Sequence, residues 1–505
     1  MKRNILGITL RGVNALAVEV EVEVGRGLFT INVVGLADTA VKEARERVRA
    51  ALAKTGIILR GRISINLAPA DIPKEGALLD LPIAVGIACA MDVFSVTNET
   101  IFIGELALDG RLRGTRGAVA AAIYAKEHDL EIFVPQDNAK EVSIIPGVKA
   151  RAASTLQEII DHFNGVSTLP LIQPSYISDN YTECEVDFAD IKGQTMAKRA
   201  LEIAAAGHHN ILMVGSPGSG KSMLAKALRG ILPPLTNQEL MEVVLIKSTV
   251  GIPLSLTRER PYRSVHHTAS SVSICGGSSS LRPGEISLAS RGVLFLDELP
   301  EFSRDVIETL RQPLEDGFIT VSRASGTVQY PAHVLVVAAC NPCPCGFAGD
   351  KEHHCTCSQS AIDKYRKKLS GPILDRIDLH LAVPRLSPEE LMTVQNSNVE
   401  RSATVRERVI RARKIQEERW KNFGFTTNSE IPERILQKNI NLRPEVRSFI
   451  LDVLKTVKLS GRGLSRVLKV ARTIADLEGK KQIDVESLAE AVSFREGQGM
   501  SWMPN

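Results

Sequence analysis

Residues 211–222 read Ile-Leu-Met-Val-Gly-Ser-Pro-Gly-Ser-Gly-Lys-Ser, an apolar run that opens into Gly-x-x-x-x-Gly-Lys-Ser ahead of a helix-compatible stretch, 223–229. That order is what a nucleoside-triphosphate phosphate cradle requires. In the loop Gly215, Ser216, Pro217, Gly218, Ser219 and Gly220 the glycines let backbone N–H groups curl around phosphates, Lys221 neutralises the outer two, and the Ser222 hydroxyl can ligate magnesium. A helix beginning there points its positive end at the anion. Residues 292–298, Gly-Val-Leu-Phe-Leu-Asp-Glu, form an apolar strand ending in two acids. A strand buried on both faces would deliver them at its carboxyl end, beside the phosphate loop. Asp297 then suits magnesium, and Glu298 suits orienting and deprotonating the attacking water. A third apolar run, 334–341, ends in Asn341. Asn341 can hold that water or touch the outer phosphate, or simply make an Asn-Pro turn with Pro342. Arg376 sits among apolar residues in Ile-Leu-Asp-Arg-Ile-Asp, 373–378. It either pairs locally with Asp375 or Asp378, or reaches a neighbouring subunit's nucleotide and stabilises the charge of phosphoryl transfer.

Five of the eight cysteines fall between positions 340 and 357. Such crowding points to metal or local structure in a reducing compartment, not to a secreted disulfide framework. Cys343, Cys345, Cys355 and Cys357 supply four thiolates, enough to close a tetrahedral zinc site that pins a long loop. The single residue inside each pair is narrower than the usual knuckle spacing. Thiols in a loop ordered by packing are therefore the alternative. Residues 318–330 read strand, turn, strand, so a hairpin, with Arg323 near its tip suited to a phosphate contact. Residues 266–281, rich in Ser and Gly, form a second insertion ahead of the acidic strand.

The elements that must position these groups follow from composition and periodicity. At 505 residues the chain exceeds one core, so about two to four domains are expected. A hydrophobic share of 44% with 24% charged residues is that of a soluble globular protein. The net charge is only +4, so any nucleic-acid surface must be local. The first residues lack a signal-peptide core, and the longest apolar stretch, 81–93, is broken by Pro82, Gly86 and Asp92 and is too short for a bilayer. A cytoplasmic protein with no membrane partner is expected. Residues 1–165 read as mixed α/β: an alternating strand at 18–24, an amphipathic helix at 39–55, a strand at 63–67, a buried helix at 81–90, strands at 101–107 and 132–134, and a helix at 117–127. A polar linker occupies 166–185. Residues 186–385 alternate strand and helix signals as an open α/β nucleotide-binding domain does. Residues 386–505 are helical, with helices at 398–421, 444–456, 462–478 and 485–492. The arginines of 398–421 are interleaved with acids and read as a solvated face with i,i+4 pairs; a DNA-facing surface is the sharper alternative.

Together, the phosphate loop, the acidic pair, Asn341 and Arg376 resemble AAA+ ATPases of the magnesium-chelatase and replicative-helicase branch. The runs 283–289 (Pro-Gly-Glu-Ile-Ser-Leu-Ala), 292–302, 341–346 (Asn-Pro-Cys-Pro-Cys-Gly) and 468–477 resemble the ComM (YifB-like) magnesium-chelatase-like family across essentially the whole chain. The resemblance implies a hexameric, ATP- and Mg2+-dependent motor on single-stranded or branched DNA, associated in this family with branch migration during natural transformation and recombination. It implies Lys221 and Ser222 as the phosphate-loop pair, Asp297 and Glu298 as the metal and water-activating acids, Asn341 as first sensor and Arg376 as a finger acting in trans. The second sensor should be an arginine opening a lid helix; Arg462 fits that register, and Arg466 is the runner-up. A trans-acting finger requires a heterologous contact that closes into a ring. The hairpin and the insertion resemble the pore insertions of this branch, which would grip phosphates with little sequence preference.

Residues 73–80 (Pro-Lys-Glu-Gly-Ala-Leu-Leu-Asp) and 104–110 resemble the proteolytic domain of Lon peptidases. Leu78 stands where the nucleophilic serine belongs and Val119 where its lysine belongs, so the implied fold is Lon-like without peptidase activity. Lys74 reads as a solvated or DNA-facing charge. The expected fold class is therefore a multidomain α/β protein: a Lon-protease-like α/β domain, an AAA+ P-loop α/β domain and a helical lid. The competing functions are a chelatase-type motor for metal insertion, which the Lon-like block argues against, and a nucleotide-binding assembly scaffold.

Overall fold

Alternating apolar and charged residues at 14–25 give the long strand Asn14–Gly25, which pairs antiparallel on both sides, with Ile5–Arg11 and Arg62–Ala68. These strands belong to a computed structural model that describes residues 5–36, 38–74, 76–175, 184–252, 257–277, 281–323, 326–350, 352–369, 371–392, 399–456 and 459–496. The first sheet has seven strands in the order Thr30–Val34, Arg62–Ala68, Asn14–Gly25, Ile5–Arg11, Thr100–Phe102, Glu131–Pro135, Lys149–Ala153. Asp38 caps the helix Thr39–Lys54 by accepting from the Val41 N–H at 2.8 Å, and Val41, Val48, Ala51 and Leu52 bury its apolar stripe against the sheet and the helix Asp80–Ala90. Leu78 and Val119 lie together in one apolar cluster, so packing fills the positions where a serine–lysine pair would work. Lys74 is fully buried, contrary to the solvated charge expected of it. Its ammonium donates to the Pro69 carbonyl, and burial lowers its pKa. Of the residues expected in the linker, 176–183 lie outside the described set; Ile172 donates to Ala150, laying the preceding segment along the strand Lys149–Ala153.

The second sheet is parallel throughout. Its order is Tyr262–Val265, Val293–Leu296, Leu335–Cys340, Ile211–Val214, Leu379–Ala382. The acidic strand, the Asn341 strand and the phosphate-loop strand are buried along their full length, as continuous apolar runs between two helical layers must be. The helix Asn237–Val250 packs on Ala118–Glu127 of the first unit, where Gly117 donates to Ser248 at 2.8 Å and Leu240, Val243 and Val244 share that unit's core.

The final unit is helical: Ser402–Trp420, Glu433–Asn439, Pro444–Thr456, Gly461–Leu477 and Val485–Glu496. Asn398 lies outside the described residues. Arg411 and Lys414 of the first helix lie on the solvated face expected of them, but Arg406, Arg408, Arg413 and Arg419 turn to partners within the fold. Arg413 donates to Ala205 O (2.7 Å), Gln416 to Ala206 O (3.1 Å) and Arg406 to Gly230 O (3.2 Å). These carbonyls end the helices Thr195–Gly207 and Lys221–Ile231, where helix geometry leaves carbonyls unpaired and the dipole is negative. Arg408 pairs with the buried Glu202 at 2.6 Å, and Arg419 with the buried Asp476. Arg406, Arg408 and Arg413 clamp the helical unit to the nucleotide-binding core, while Arg419 ties two helices within the unit. No helix among the described residues is long and apolar enough to cross a membrane.

One buried cluster joins the second and third units. Asp378 accepts from Arg466 at 2.6 Å and from the N–H of Asn210 at 3.0 Å, with His209 Nδ1 at 3.7 Å. Burial opposes its ionisation, but Arg466 and His209 outweigh it and hold the carboxyl well below the usual carboxylate range. Asp378→Ala would leave Arg466 and Asn210 without their acceptor. The expected loss is about 3–5 kcal/mol in urea unfolding. A loss of about 1 kcal/mol or less, the value of an exposed pair, would show that the cluster is no anchor.

Candidate nucleotide site

The phosphate-loop strand lies between two strands that follow it in the chain, Leu335–Cys340 and Leu379–Ala382, so the sheet order reverses beside it. In an open parallel sheet, the crevice at the carboxyl ends at such a point receives the ligand. The loop turns there on left-handed glycines, Gly218 (φ 79°) and Gly220 (φ 92°), and delivers the chain into the helix Lys221–Ile231. A Cβ on Gly215 would lie 2.2 Å from the Val383 carbonyl and 2.7 Å from Ser219 Oγ, so only glycine fits the throat of the loop.

Lys221 is buried and folds back into the loop. Its Nζ donates to Gly215 O at 2.6 Å and Ser216 O at 3.0 Å, with Asn341 Oδ1 at 3.4 Å. Burial lowers its pKa, while Asp297 and Glu298 act the other way. Ser222 Oγ donates to Asp297 Oδ2 at 3.2 Å. A hydroxyl and a carboxylate meeting at a helix N-terminus are the hard oxygen donors that magnesium takes, so the residues present fit both a triphosphate and its metal. Glu298 stands next in the chain, half exposed, with its backbone in the left-handed region (φ 52°) and its N–H donating to Asp297 Oδ1 at 2.9 Å. The structure therefore gathers Lys221, Ser222, Asp297, Glu298 and Asn341 around one loop.

His267 belongs to this group and was missed in the sequence. Its Nδ1 lies 3.0 Å from Glu298 Oε2, and its ring meets Phe302 edge-on at 6.5 Å. It follows the strand Tyr262–Val265, whose carboxyl end adjoins the acidic strand. Only the sheet order reveals that proximity.

Arg376, Arg462 and Arg466 sit at the other end of the sheet. Asp378 and Leu379 both donate to the carbonyl of Asn210, the residue preceding the phosphate-loop strand. That strand and Leu379–Ala382 run parallel for four residues, about 13 Å. Arg376 Nη2 lies 2.7 Å from Glu315 and its Nη1 donates to Pro372 O at 2.7 Å. Arg462, 67% exposed, lies 3.5 Å from the same Glu315. Ser460 caps the helix Gly461–Leu477 that carries Arg462 and Arg466.

The two insertions touch one another. Phe318–Arg323 and Gly326–Pro331 pair antiparallel as the expected hairpin; Ala324 and Ser325 at its tip lie outside the described residues, as do Ser278, Ser279 and Ser280 of the other insertion. Exposed Arg323 donates through Nε to Gly277 O at 2.8 Å. The four cysteines also converge: Cys343, Cys345, Cys355 and Cys357 place their sulfurs within 4.8 Å of one another.

The chain has relatives among known proteins. Residues 187–391 match a family described as "Magnesium chelatase, subunit ChlI", 20–138 match "Subunit ChlI of Mg-chelatase", and 399–495 match "Magnesium chelatase, subunit ChlI C-terminal". The chain is 42% identical to the competence protein ComM of Haemophilus influenzae, covering 96% of this chain and 95% of that protein. It is 43% identical to YifB of Salmonella typhimurium over 96% and 95%. The magnesium-chelatase subunit ChlI of Cyanophora paradoxa is 22% identical over 61% of this chain and 88% of its own length. The match at 20–138 means that the first unit does not by itself separate this chain from the chelatase subunits, contrary to the argument from sequence.

Lys221→Ala is expected to abolish binding of a fluorescent ATP analogue. Glu298→Gln should bind it normally yet hydrolyse ATP about 10²–10⁴-fold more slowly. Normal turnover by Glu298→Gln would reject Glu298 as the base.

Proposed function

The chain belongs to the ComM/YifB-like magnesium-chelatase-like family, and we propose that it is a ring-forming ATPase that drives single-stranded or branched DNA through its centre, a branch-migration motor acting on recombination intermediates. The observation that carries this reading is the separation of Arg376 from its own phosphate loop by the length of a parallel strand. An arginine that stabilises phosphoryl transfer must touch the transferring group, so Arg376 serves the next subunit. Arg462, exposed at the same end of the sheet, faces that same neighbour, while Arg466 anchors the lid beneath it through Asp378. A contact of one subunit's edge with the next subunit's opposite face is heterologous, and it closes into a ring of, on this reading, six copies.

Within one subunit, the loop amides and Lys221 bind the triphosphate. Ser222 and Asp297 would hold Mg2+, which would supply charge neutralisation at the phosphate oxygens. Glu298 takes the proton of the attacking water, His267 orients its carboxylate, and Asn341 holds the water or the outer phosphate. The Arg323–Gly277 hydrogen bond yokes the two insertions. That link lets a change at Glu298 and His267 reach the segment that grips DNA backbone. The division that fits this scheme is 1–165 as a Lon-like rim without peptidase activity, 166–185 as linker, 186–385 as the motor core and 386–505 as the lid. Cys343, Cys345, Cys355 and Cys357 hold Zn2+, and the protein works in the cytoplasm. A chelatase-type metal-insertion motor has the family descriptions in its favour, and a nucleotide-binding scaffold would need the same loop. The ChlI relative nevertheless spans only 61% of this chain, whereas ComM spans 96%.

The motor reading predicts that a synthetic four-way junction stimulates ATP hydrolysis and is resolved into its arms only with ATP. Turnover indifferent to every DNA form would favour the chelatase or scaffold reading. Arg376→Ala alone should lower turnover about 10³-fold or more. Mixing it with Lys221→Ala protein should restore part of the activity, because mixed rings pair an intact loop with an intact finger. No recovery in verified mixed rings would place the arginine's action elsewhere.

A further inference from the structure

Resting on the assignment of 215–222 as the nucleotide loop, we propose that the four-cysteine segment is a zinc clasp that fixes the crest of that loop, so that nucleotide affinity depends on zinc. Between the strand Leu335–Cys340 and the helix Gln359–Arg366, the described residues form neither helix nor strand. A stretch of that length inside a packed domain needs some other source of order. Its own turns supply little: Gly346 donates to Cys343 O at 3.0 Å and Asp350 to Phe347 O at 3.1 Å. Phe347 stacks on His353 at 4.9 Å, and the sulfurs draw the two ends of the segment together. Cys343 and Cys345 lie 3.3 Å apart, and each is within 3.7 Å of Cys355. The Cys345 N–H donates to Cys357 Sγ at 3.4 Å, and the Ala348 N–H to Cys343 Sγ at 3.3 Å. Four converging cysteine sulfurs are the donor set of a closed tetrahedral zinc site.

The outer side of this segment lies against the phosphate loop at three points. Gly346 is left-handed (φ 88°), and a Cβ there would lie 2.6 Å from Pro217 Cδ. The Ser216 hydroxyl helps hold the pKa of the Asp350 carboxyl low, and Asp350 accepts from the N–H groups of Glu352 (2.9 Å) and His353 (3.0 Å). Asn341, which opens the segment, lies 3.4 Å from Lys221 Nζ. Arg385 then ties the far side down, meeting His353 at 3.3 Å and Glu352 at 3.8 Å. The chain just before Arg385 pairs with the phosphate-loop strand through Val383 N–H to Val214 O at 2.7 Å. Metal in the thiolate cage thus holds a strap over Ser216 and Pro217. Removing it frees the strap and loosens the amides that must all face the phosphates at once.

The test uses the full chain, zinc content by elemental mass spectrometry and the Kd of a fluorescent ATP analogue with Mg2+. The wild type should carry one zinc per chain without visible absorption. Stripping it with a chelator should weaken nucleotide binding about tenfold, and added zinc should restore it. Cys355→Ser with Cys357→Ser should lose zinc and affinity together. Asp350→Ala, which leaves the cage intact, should keep zinc yet bind nucleotide severalfold more weakly; it carries the test if the cysteine variants fail to fold. An unchanged Kd in zinc-free wild type, or in zinc-loaded Asp350→Ala, overturns the clasp. Iron absorption, or no metal uptake at all, overturns the zinc site. Failure of zinc-loaded wild type to bind any nucleotide would instead sink the nucleotide assignment beneath it.

Discussion

A parallel strand has two chemically different ends, and the four residues of Ile211–Val214 keep them about 13 Å apart. Everything proposed for this molecule depends on that separation. The carboxyl end carries the glycine loop, Lys221 and the acids. The amino end carries Asn210, which is hydrogen-bonded to Asp378, which is in turn paired with Arg466. One rigid element therefore holds the anion cradle on one edge of the sheet and a cluster of arginines on the other. A single copy cannot bring the two together without breaking its own sheet. Two copies can, and a chain of such contacts is directional.

The same strand explains the lid's chemistry. Helices on the two sides of the phosphate-loop strand end in carbonyls that need donors. His209 N–H meets Ala204 O from within the core, and the helix Ser402–Trp420 supplies donors to Ala205, Ala206 and Gly230 through Arg413, Gln416 and Arg406. A charged helix that reads as a solvated face becomes a set of caps because its partners lie some two hundred positions earlier in the chain. The buried Asp378–Arg466 pair adds a second tie between lid and core. The lid is thus tied to the amino end of the sheet, the edge that presents Arg376 and Arg462.

What could be read in the sequence was contiguous. The phosphate loop needs glycines, a lysine and a serine at fixed offsets, because successive amides of one backbone must face one ligand. Asp297 and Glu298 are adjacent, and the burial of their strand shows in four apolar residues. The helices at 39–54 and 461–477 were visible because their apolar stripes have the helical period. What escaped depends on sheet order. His267 meets Glu298 because two strands are neighbours, not because their residues are near in sequence. Lys74 looks like any exposed lysine until a proline carbonyl is found at its head. The cysteine spacing suggested a metal but gave no sign that its loop lies on Pro217.

Glu298 shows how these constraints converge on the proposed chemistry. A non-glycine residue with φ near 52° costs about 1–2 kcal/mol relative to ordinary backbone. Such a conformation persists only where its surroundings over-determine it. Here the preceding strand is buried on both faces, Leu299 and Pro300 are buried beyond it, and Asp297 accepts the Glu298 N–H. The chain must turn within one residue after the sheet ends. That turn sends the Glu298 carboxylate to His267, while Asp297 stays on Ser222. Two adjacent acids of like charge are thereby held on different partners. A relaxed extended backbone, whose side chains alternate in direction, would not fix either carboxylate against the loop. The local strain is what lets two acids, proposed to hold metal and to activate water, point to different partners from consecutive positions.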